Sequence, residues 1–284
     1  MKIQKLICLI SILLCIGLLV GYQAWDEIRT DTKAPEITVS EELPVVSIPL
    51  SDDALVQGIS AWDTTDGDVT DSLVVESMTL LDENGTLSVT YAAFDRSGNV
   101  AKATRNIQLS NYTPPHFSLS QSLAFVSGRE YDLFALISAR DDLEGNISHR
   151  IRATAMDDTT LTDVGIHNVE FRVTNSLGDT AKLILPVEVY APNAYDAVVT
   201  LSDYLIYLDQ GAAFNPHQYL NKFIHGAETF SLSSGMPAGF SVQLTGTVDT
   251  NTPGVYSVSY RITQDLDNAR HYTGYARLIV VVEG

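Results

Sequence analysis

Cysteine is almost absent from this sequence, and its placement excludes several kinds of chemistry. The two cysteines, Cys8 and Cys15, both lie within the first 25 residues. The rest of the chain therefore has no disulfide, no cysteine-ligated zinc site and no thiolate nucleophile. Domains after residue 25 must be stabilised by their apolar cores or by a bound metal ion.

Basic residues are scarce as well. After residue 25 the chain has 15 lysines and arginines against 35 aspartates and glutamates, a formal charge of −20. This charge repels nucleic acid and anionic membrane surfaces, and it attracts cations. We therefore expect no nucleic-acid partner.

Recognisable catalytic motifs are also missing. No Gly-x-Ser-x-Gly or His-Glu-x-x-His phrase occurs, and the six histidines show no paired ligand spacing. We expect the protein not to be an enzyme.

The chain has one long apolar run, from Leu6 to Trp25. A helix over 6–25 would be about 30 Å long, which matches the hydrocarbon thickness of a bilayer. Lys2 and Lys5 precede the run and predict a cytoplasmic N-terminus. We predict a signal anchor over 1–25, a stalk over 26–33 and extracellular domains beyond, in a single-pass protein of the cell membrane. The alternative is a signal peptide cleaved after Ala24, which would give a secreted protein.

Two turn phrases recur at a common interval. The acidic phrase 63–70 returns in looser form at 141–148, and the phrase 94–99 returns at 173–179. Gly85 and Gly165 are 80 residues apart, as are Gly98 and Gly178. Two unrelated phrases that share one period indicate an array of similar domains.

Within each copy, apolar residues alternate with a period of two. Leu87, Val89 and Tyr91 share one face of a predicted strand over 86–94. Short strands separated by Gly, Asn and Asp turns, about seven per copy, are typical of an antiparallel β-sandwich. We predict an all-β protein of tandem Ig-like antiparallel β-sandwiches, following one N-terminal transmembrane helix.

Prolines mark the boundaries between the copies. They predict a first repeat over 34–111, a second over 112–191 and a divergent third over 192–284, joined by short and semi-stiff linkers. The third repeat lacks the acidic Asp-Gly-Asp phrase.

The order of these phrases resembles that of bacterial immunoglobulin-like surface repeats. It runs Gly-x-x-Tyr-Asp at 128–132, Ala-x-Asp-x-x-Asp-Gly-Asp-Val-Thr at 61–70, Gly-x-x-x-Val-x-Tyr at 85–91 and Asp-x-Ser-Gly-Asn at 95–99. The resemblance is to the hyaline-repeat-like and pesticidal-crystal-protein-associated Ig-like group, and it covers about residues 33–284. It implies Ig-like folds and a role as stalk, adhesion module or appendage.

The acidic phrases are the candidate metal sites. Calcium prefers six to eight oxygen ligands, including carboxylates. The other interpretation is a solvated turn, in which aspartates cap backbone N–H groups. Asp95 is included because the resemblance implies that it faces the acidic loop. The candidate calcium ligands are Asp63, Asp66, Asp68, Asp95, Asp141, Asp142 and Glu144.

The third repeat is rich in tyrosine, which offers a candidate binding surface. Exposed aromatic rings stack on sugars or on partner proteins, although tyrosine also packs half-buried in ordinary strands. The candidate residues are Tyr204, Tyr207, Tyr219, Tyr272 and Tyr275.

We predict a non-catalytic, membrane-anchored surface protein that acts as a spacer, adhesion or protein-binding module. The alternatives are a calcium-stiffened adhesin and a carbohydrate-binding module. The predicted partners are the membrane, through 6–25, and an unknown extracellular protein or glycan.

Overall fold

The computed structural model describes residues 11–22, 31–40, 42–82, 84–156, 162–192, 194–266 and 270–284. Residues 11–22 are helical. Among the described residues, no helix combines the length and apolar character needed to cross a membrane. The other parts of the predicted anchor, 1–10 and 23–25, and stalk residues 26–30 lie outside the described residues.

The chain divides into two compact units, Met1–Tyr112 and Thr113–Gly284. The first unit holds the first repeat, whose strands form a three-stranded sheet (β1-β3-β4) and a four-stranded sheet (β2-β7-β6-β5). Its elements are β1 Glu36–Val39, β2 Val45–Ser47, a short helix Asp52–Val56, β3 Ile59–Asp63, β4 Gly67–Asp68, a 3₁₀ turn Thr70–Ser72, β5 Val74–Leu80, β6 Thr86–Phe94 and β7 Val100–Ser110.

The second repeat has the same topology. Its sheets are ordered β11-β10-β8 and β12-β13-β14-β9, strand for strand the order of the first repeat. Its elements are β8 His116–Leu119, β9 Ala124–Val126, a 3₁₀ turn Leu133–Ala135, β10 Ile137–Asp141, β11 Gly145–Asn146, a 3₁₀ turn Ser148–Arg150, β12 Arg152–Ala155, β13 Gly165–Thr174 and β14 Thr180–Tyr190.

The third repeat differs because all of its strands join in one seven-stranded sheet. The order is β18-β17-β15-β21-β20-β19, and β16 also pairs with the long β21. Its elements are β15 Ala197–Leu201, β16 Leu205–Asp209, a 3₁₀ turn Pro216–Tyr219, β17 Leu220–His225, β18 Glu228–Ser231, β19 Phe240–Thr245, β20 Gly254–Leu266 and β21 Arg270–Glu283.

The predicted all-β fold is confirmed, and so is the alternation that predicted it. Leu87, Val89 and Tyr91 are fully buried, because successive side chains of a strand point to opposite faces and these three share the inner one. The prediction of antiparallel sheets was wrong for four strand pairs. The short strands β2 and β9 run parallel to β7 and β14, and β15 and β16 run parallel to β21.

The second and third repeats share part of a core. Leu205, Ile279 and Val281 belong to the third repeat, yet they pack in the cluster around Phe171 and Leu185 of the second. A partly buried ion pair, 2.7 Å between Arg277 Nη2 and Glu188 Oε2, also joins them. Both repeats therefore lie in one unit, and the three predicted domain ranges stay a prediction.

Candidate functional site

Three carboxylates of the first repeat and one from the segment before it converge at one end of the sandwich. Asp63 ends β3, Asp66 lies in the tight turn after it, and Asp95 begins the turn between β6 and β7. Asp31 comes from the segment before β1. One carboxylate oxygen from each of the four residues lies within 4.8 Å of the others.

The turn after β3 is built around Asp63. Its Oδ1 accepts hydrogen bonds from the backbone N–H groups of Thr65 (2.7 Å) and Asp66 (2.9 Å). Gly67 follows with φ of +79°, a conformation that side-chain-bearing residues rarely adopt. The backbone N–H groups of Asp66 and Thr65 hold the pKa of Asp63 below its ordinary value, so this carboxyl is ionised at neutral pH.

The neighbouring carboxylates are also tied down by donors. Asp95 Oδ1 accepts from the backbone N–H of Asn99 (2.8 Å), and Asp95 Oδ2 accepts from the Asn99 amide (2.6 Å). Asp66 Oδ2 accepts from the backbone N–H of Arg96 (2.9 Å). The Arg96 guanidinium lies 3.7 Å from Asp66 and is 85% exposed, so it offsets little of the negative charge.

Two oxygens of the cluster remain without a partner. Asp63 is 1% exposed, and both its Oδ2 and Asp31 Oδ2 are buried with no hydrogen-bond partner among the residues that the structure describes. A buried charged oxygen without a partner is strongly unfavourable. Two like charges about 5 Å apart also repel by about 3 kcal/mol at an effective dielectric constant near 20. A bound metal cation would supply the positive charge that offsets this repulsion.

The geometry fits calcium. Calcium binds oxygen at about 2.3–2.6 Å, so two oxygens on one ion are at most about 5 Å apart. The four oxygens meet this limit. All of the donors are hard oxygens, which favours calcium or magnesium over the softer transition metals.

The second repeat builds the same turn. Asp141 is 1% exposed, and its Oδ1 accepts from the backbone N–H groups of Leu143 (2.9 Å) and Glu144 (3.0 Å). Glu144 Oε1 accepts from the backbone N–H of Ser176 (2.5 Å), as Asp66 does from Arg96. Gly145 has φ of +74°. The hydrogen bonds therefore match those of the first repeat one by one.

The second repeat satisfies its carboxylates internally. Asn175 stands where the first repeat has Asp95, and its Nδ2 donates to Asp141 Oδ2 at 3.0 Å. Arg150 donates to both oxygens of Glu144, at 2.9 and 2.6 Å, and this lowers the pKa of Glu144. The Asn175 amide thus donates to Asp141 Oδ2, whose counterpart Asp63 Oδ2 has no partner among the described residues, and the Arg150 guanidinium neutralises Glu144.

Two of the predicted ligands, Asp68 and Asp142, make other contacts. Asp68 Oδ1 caps the backbone N–H of Thr70 (3.0 Å), and Asn146 makes the same bond to Ser148 (2.9 Å), so position 68 serves the turn. Asp142 is exposed and bonds the hydroxyl of Thr113. The carboxylate of the cluster that sequence reasoning missed is Asp31, which no repeat phrase includes.

The five predicted tyrosines do not form one surface. Tyr204 is buried and its hydroxyl accepts from the backbone N–H of Leu201. The Tyr207 hydroxyl accepts from the backbone N–H of Phe117 in the second repeat, and burial raises its pKa to about 12. The remaining rings stack on neighbours, as Tyr219 with Phe214, Tyr272 with His225 and Tyr275 with Tyr195.

No family model matches the chain. Over 156 residues it is 30% identical to an uncharacterised 81.3 kDa protein of Acholeplasma phage L2. This match spans 54% of the chain but 20% of the phage protein, so the chain corresponds to about a fifth of that protein's length.

Among solved structures, the chain is similar to extracellular and carbohydrate-binding β-sandwich proteins. Protocadherin gamma B2 cadherin domains 1–5 match with 8% identity and a TM-score of 0.21, covering 89% of this chain and 60% of that one. Mouse cadherin-23 EC22–24 matches with 11% identity and a TM-score of 0.21, covering 88% and 99%. CBM51-2 and INT domains of Clostridium perfringens ZmpB, solved with GlcNAc, match with 16% identity and a TM-score of 0.22, covering 88% and 42%.

Proposed function

We propose that this protein is a non-catalytic extracellular binding module whose first repeat is stabilised by calcium. The observation that supports it is that the buried Asp63 Oδ2 has no hydrogen-bond partner among the described residues, while one oxygen of the Asp63 carboxylate lies within 4.8 Å of carboxylate oxygens of Asp31, Asp66 and Asp95. One divalent cation would satisfy both orphan oxygens and remove most of the repulsion. Extracellular calcium modules bind with dissociation constants of about 10⁻⁴–10⁻³ M.

Export of the chain belongs to the same proposal. The apolar run over 6–25 would anchor the chain in a membrane and place the repeats outside the cell. Stability there depends on cores and cations, because the repeats contain no cysteine. The repeats would act as a spacer or adhesion module, and the calcium-bound first repeat would stiffen the part nearest the anchor.

Carbohydrate binding by the tyrosines of the third repeat is the weaker proposal. Each of the five has its ring or its hydroxyl engaged by another residue. A sugar platform would need exposed ring faces.

Thermal unfolding of the full-length chain tests the calcium proposal. Tryptophan fluorescence in a Trp25→Phe background reports on the first repeat, since Trp62 is then the only tryptophan. Calcium at about 10–100 times its dissociation constant adds about 1.4–2.7 kcal/mol. For a domain of this size we expect a Tm about 5–15 °C higher than in EDTA.

The variant Asp63→Asn should abolish this shift, whereas Asp71→Asn, a change at an exposed aspartate outside the cluster, should leave it intact. A wild-type chain that melts at the same temperature in calcium and in EDTA would overturn the proposal.

A further inference from the structure

The segment before β1 meets the sandwich at Asp31. The Asn99 amide donates to the backbone carbonyl of Asp31 at 3.0 Å, and the backbone N–H of Lys33 donates to Asp31 Oδ1 at 3.0 Å. The second of these bonds is local. The segment is therefore connected to the sandwich at Asp31 in two ways, by the Asn99 bond to its carbonyl and by its carboxylate in the cluster.

This connection is unfavourable unless a cation is present. Asp31 brings a fourth negative charge to Asp63, Asp66 and Asp95, and its Oδ2 is buried without a partner. Like charges at this spacing push the segment away from the sandwich. A cation bound by all four carboxylates would replace this repulsion by attraction and hold the segment in place.

The second repeat shows how the same segment is held without a cation. Thr113, three residues before β8, bonds Asp142 through its hydroxyl. Asn175 and Arg150 satisfy the other carboxylates of that loop. In the second repeat the neutral hydroxyl of Thr113 therefore connects the segment to the acidic loop. In the first repeat this connection is made by the carboxylate of Asp31.

We propose that the cation of the first repeat clamps the segment 31–34 to the end of the sandwich through Asp31, so that calcium controls the joint between this domain and the chain that precedes it. The inference rests on the proposed calcium site and adds a regulated element to it. Calcium binding would fix the direction in which the preceding chain leaves the domain. Calcium removal would free the segment while the sandwich stays folded on its own core.

Hydrogen exchange of the full-length chain, followed by mass spectrometry, tests the clamp. In the wild type we expect calcium to slow exchange of the amides of Thr32, Lys33 and Ala34 by at least about tenfold relative to EDTA. Asp31→Asn should lose this slowing and bind calcium about tenfold more weakly, with Tm in EDTA unchanged or higher. Asp71→Asn should behave as the wild type.

The outcomes separate the two proposals. If the wild type shows the calcium-dependent Tm shift but no slowing at 32–34, the clamp is wrong and the calcium site stands. The clamp is also wrong if Asp31→Asn keeps the full slowing. If the wild type shows neither effect, the calcium site itself is wrong.

Discussion

At the residue scale, the acidic loops of the first two repeats differ most clearly in charge at positions 95 and 175. They occupy the same place in the two repeats, and each accepts a backbone N–H four residues later through Oδ1. Only Asn175 has an N–H₂ group to donate to the buried aspartate beside it. Asn175 has an amide nitrogen where Asp95 has a carboxylate oxygen. It therefore carries no negative charge, and its nitrogen donates a hydrogen bond to the buried Asp141 Oδ2.

This difference predicts the effect of Asn175→Asp. The variant places two carboxylates side by side and removes a hydrogen bond to the buried Asp141, so we expect a loss of about 2–3 kcal/mol at neutral pH. Repulsion raises the folded pKa of this pair above the unfolded value. The destabilisation is therefore full above that raised pKa and shrinks as the pH falls below about 5. Urea unfolding followed by circular dichroism at the two pH values measures it.

The reciprocal change, Asp95→Asn, is the matched control. It should remove the response of the first repeat to calcium, and in EDTA the relief of charge repulsion should offset the lost hydrogen bond from the Asn99 amide. Equal losses for Asn175→Asp at neutral and acidic pH would show that charge repulsion is not the cause.

The sequence predicted part of this site and missed the rest for a physical reason. The repeat phrases identified Asp63, Asp66 and Asp95, because turn chemistry is local and recurs with the period. Asp31 lies outside every phrase, and its approach depends on how the chain enters β1. Asp68 belongs to the same phrase, but its side chain caps Thr70, and residue types alone do not distinguish a cap from a ligand.

At the scale of elements, the Gly-x-x-x-Val-x-Tyr phrase has a structural purpose. Tyr91 is fully buried, and its hydroxyl donates to the carbonyl of Leu55 in the short helix at 2.8 Å. Tyr260, also six residues after a glycine, donates to the carbonyl of Pro216 in the 3₁₀ turn at 2.9 Å. Each tyrosine hydroxyl therefore links an interior strand of a sheet to the short helix or 3₁₀ turn that precedes that strand in the same repeat. Phe171 has the same position in the second repeat and lacks the hydroxyl.

Tyr91→Phe should therefore destabilise the first repeat by about 1–2 kcal/mol. The Leu55 carbonyl keeps the guanidinium of Arg105 as a donor at 2.8 Å, which limits the loss. Urea unfolding monitored by Trp62 fluorescence measures the effect. Tyr260→Phe should leave that transition unchanged and lower the stability of the second unit. If the urea midpoint of the first repeat is the same in Tyr91→Phe and in the wild type, the Tyr91 hydroxyl adds no stability beyond the packing of its ring.

The sequence predicted strands correctly where buried and exposed residues alternate. It did not predict the strand pairing that depends on residues distant in the sequence. The alternation in 86–94 predicted β6 at its observed bounds. The parallel pairing of β2 with β7 was missed, because the three residues of β2 carry almost no periodic signal. The single sheet of the third repeat was missed for a related reason. It depends on β21 being long enough to pair with both β15 and β16.

At the scale of the whole molecule, the number of unfolding transitions should be two and not three. The second and third repeats share core residues and the Arg277–Glu188 pair, so loosening one exposes apolar surface of the other. Ile279 is 2% exposed and packs into the core of the second repeat although it belongs to β21 of the third. It is the residue through which this coupling is best measured.

Ile279→Ala should lower the unfolding free energy of residues 113–284 by about 2–4 kcal/mol. Because the cavity lies in a shared core, hydrogen exchange should quicken in both the second and the third repeat and leave the first unchanged. Ile107→Ala, the equivalent change in the closing strand of the first repeat, should quicken exchange only within Met1–Tyr112. Faster exchange confined to the third repeat of the Ile279 variant would show that the two repeats unfold separately, and three transitions would then be expected.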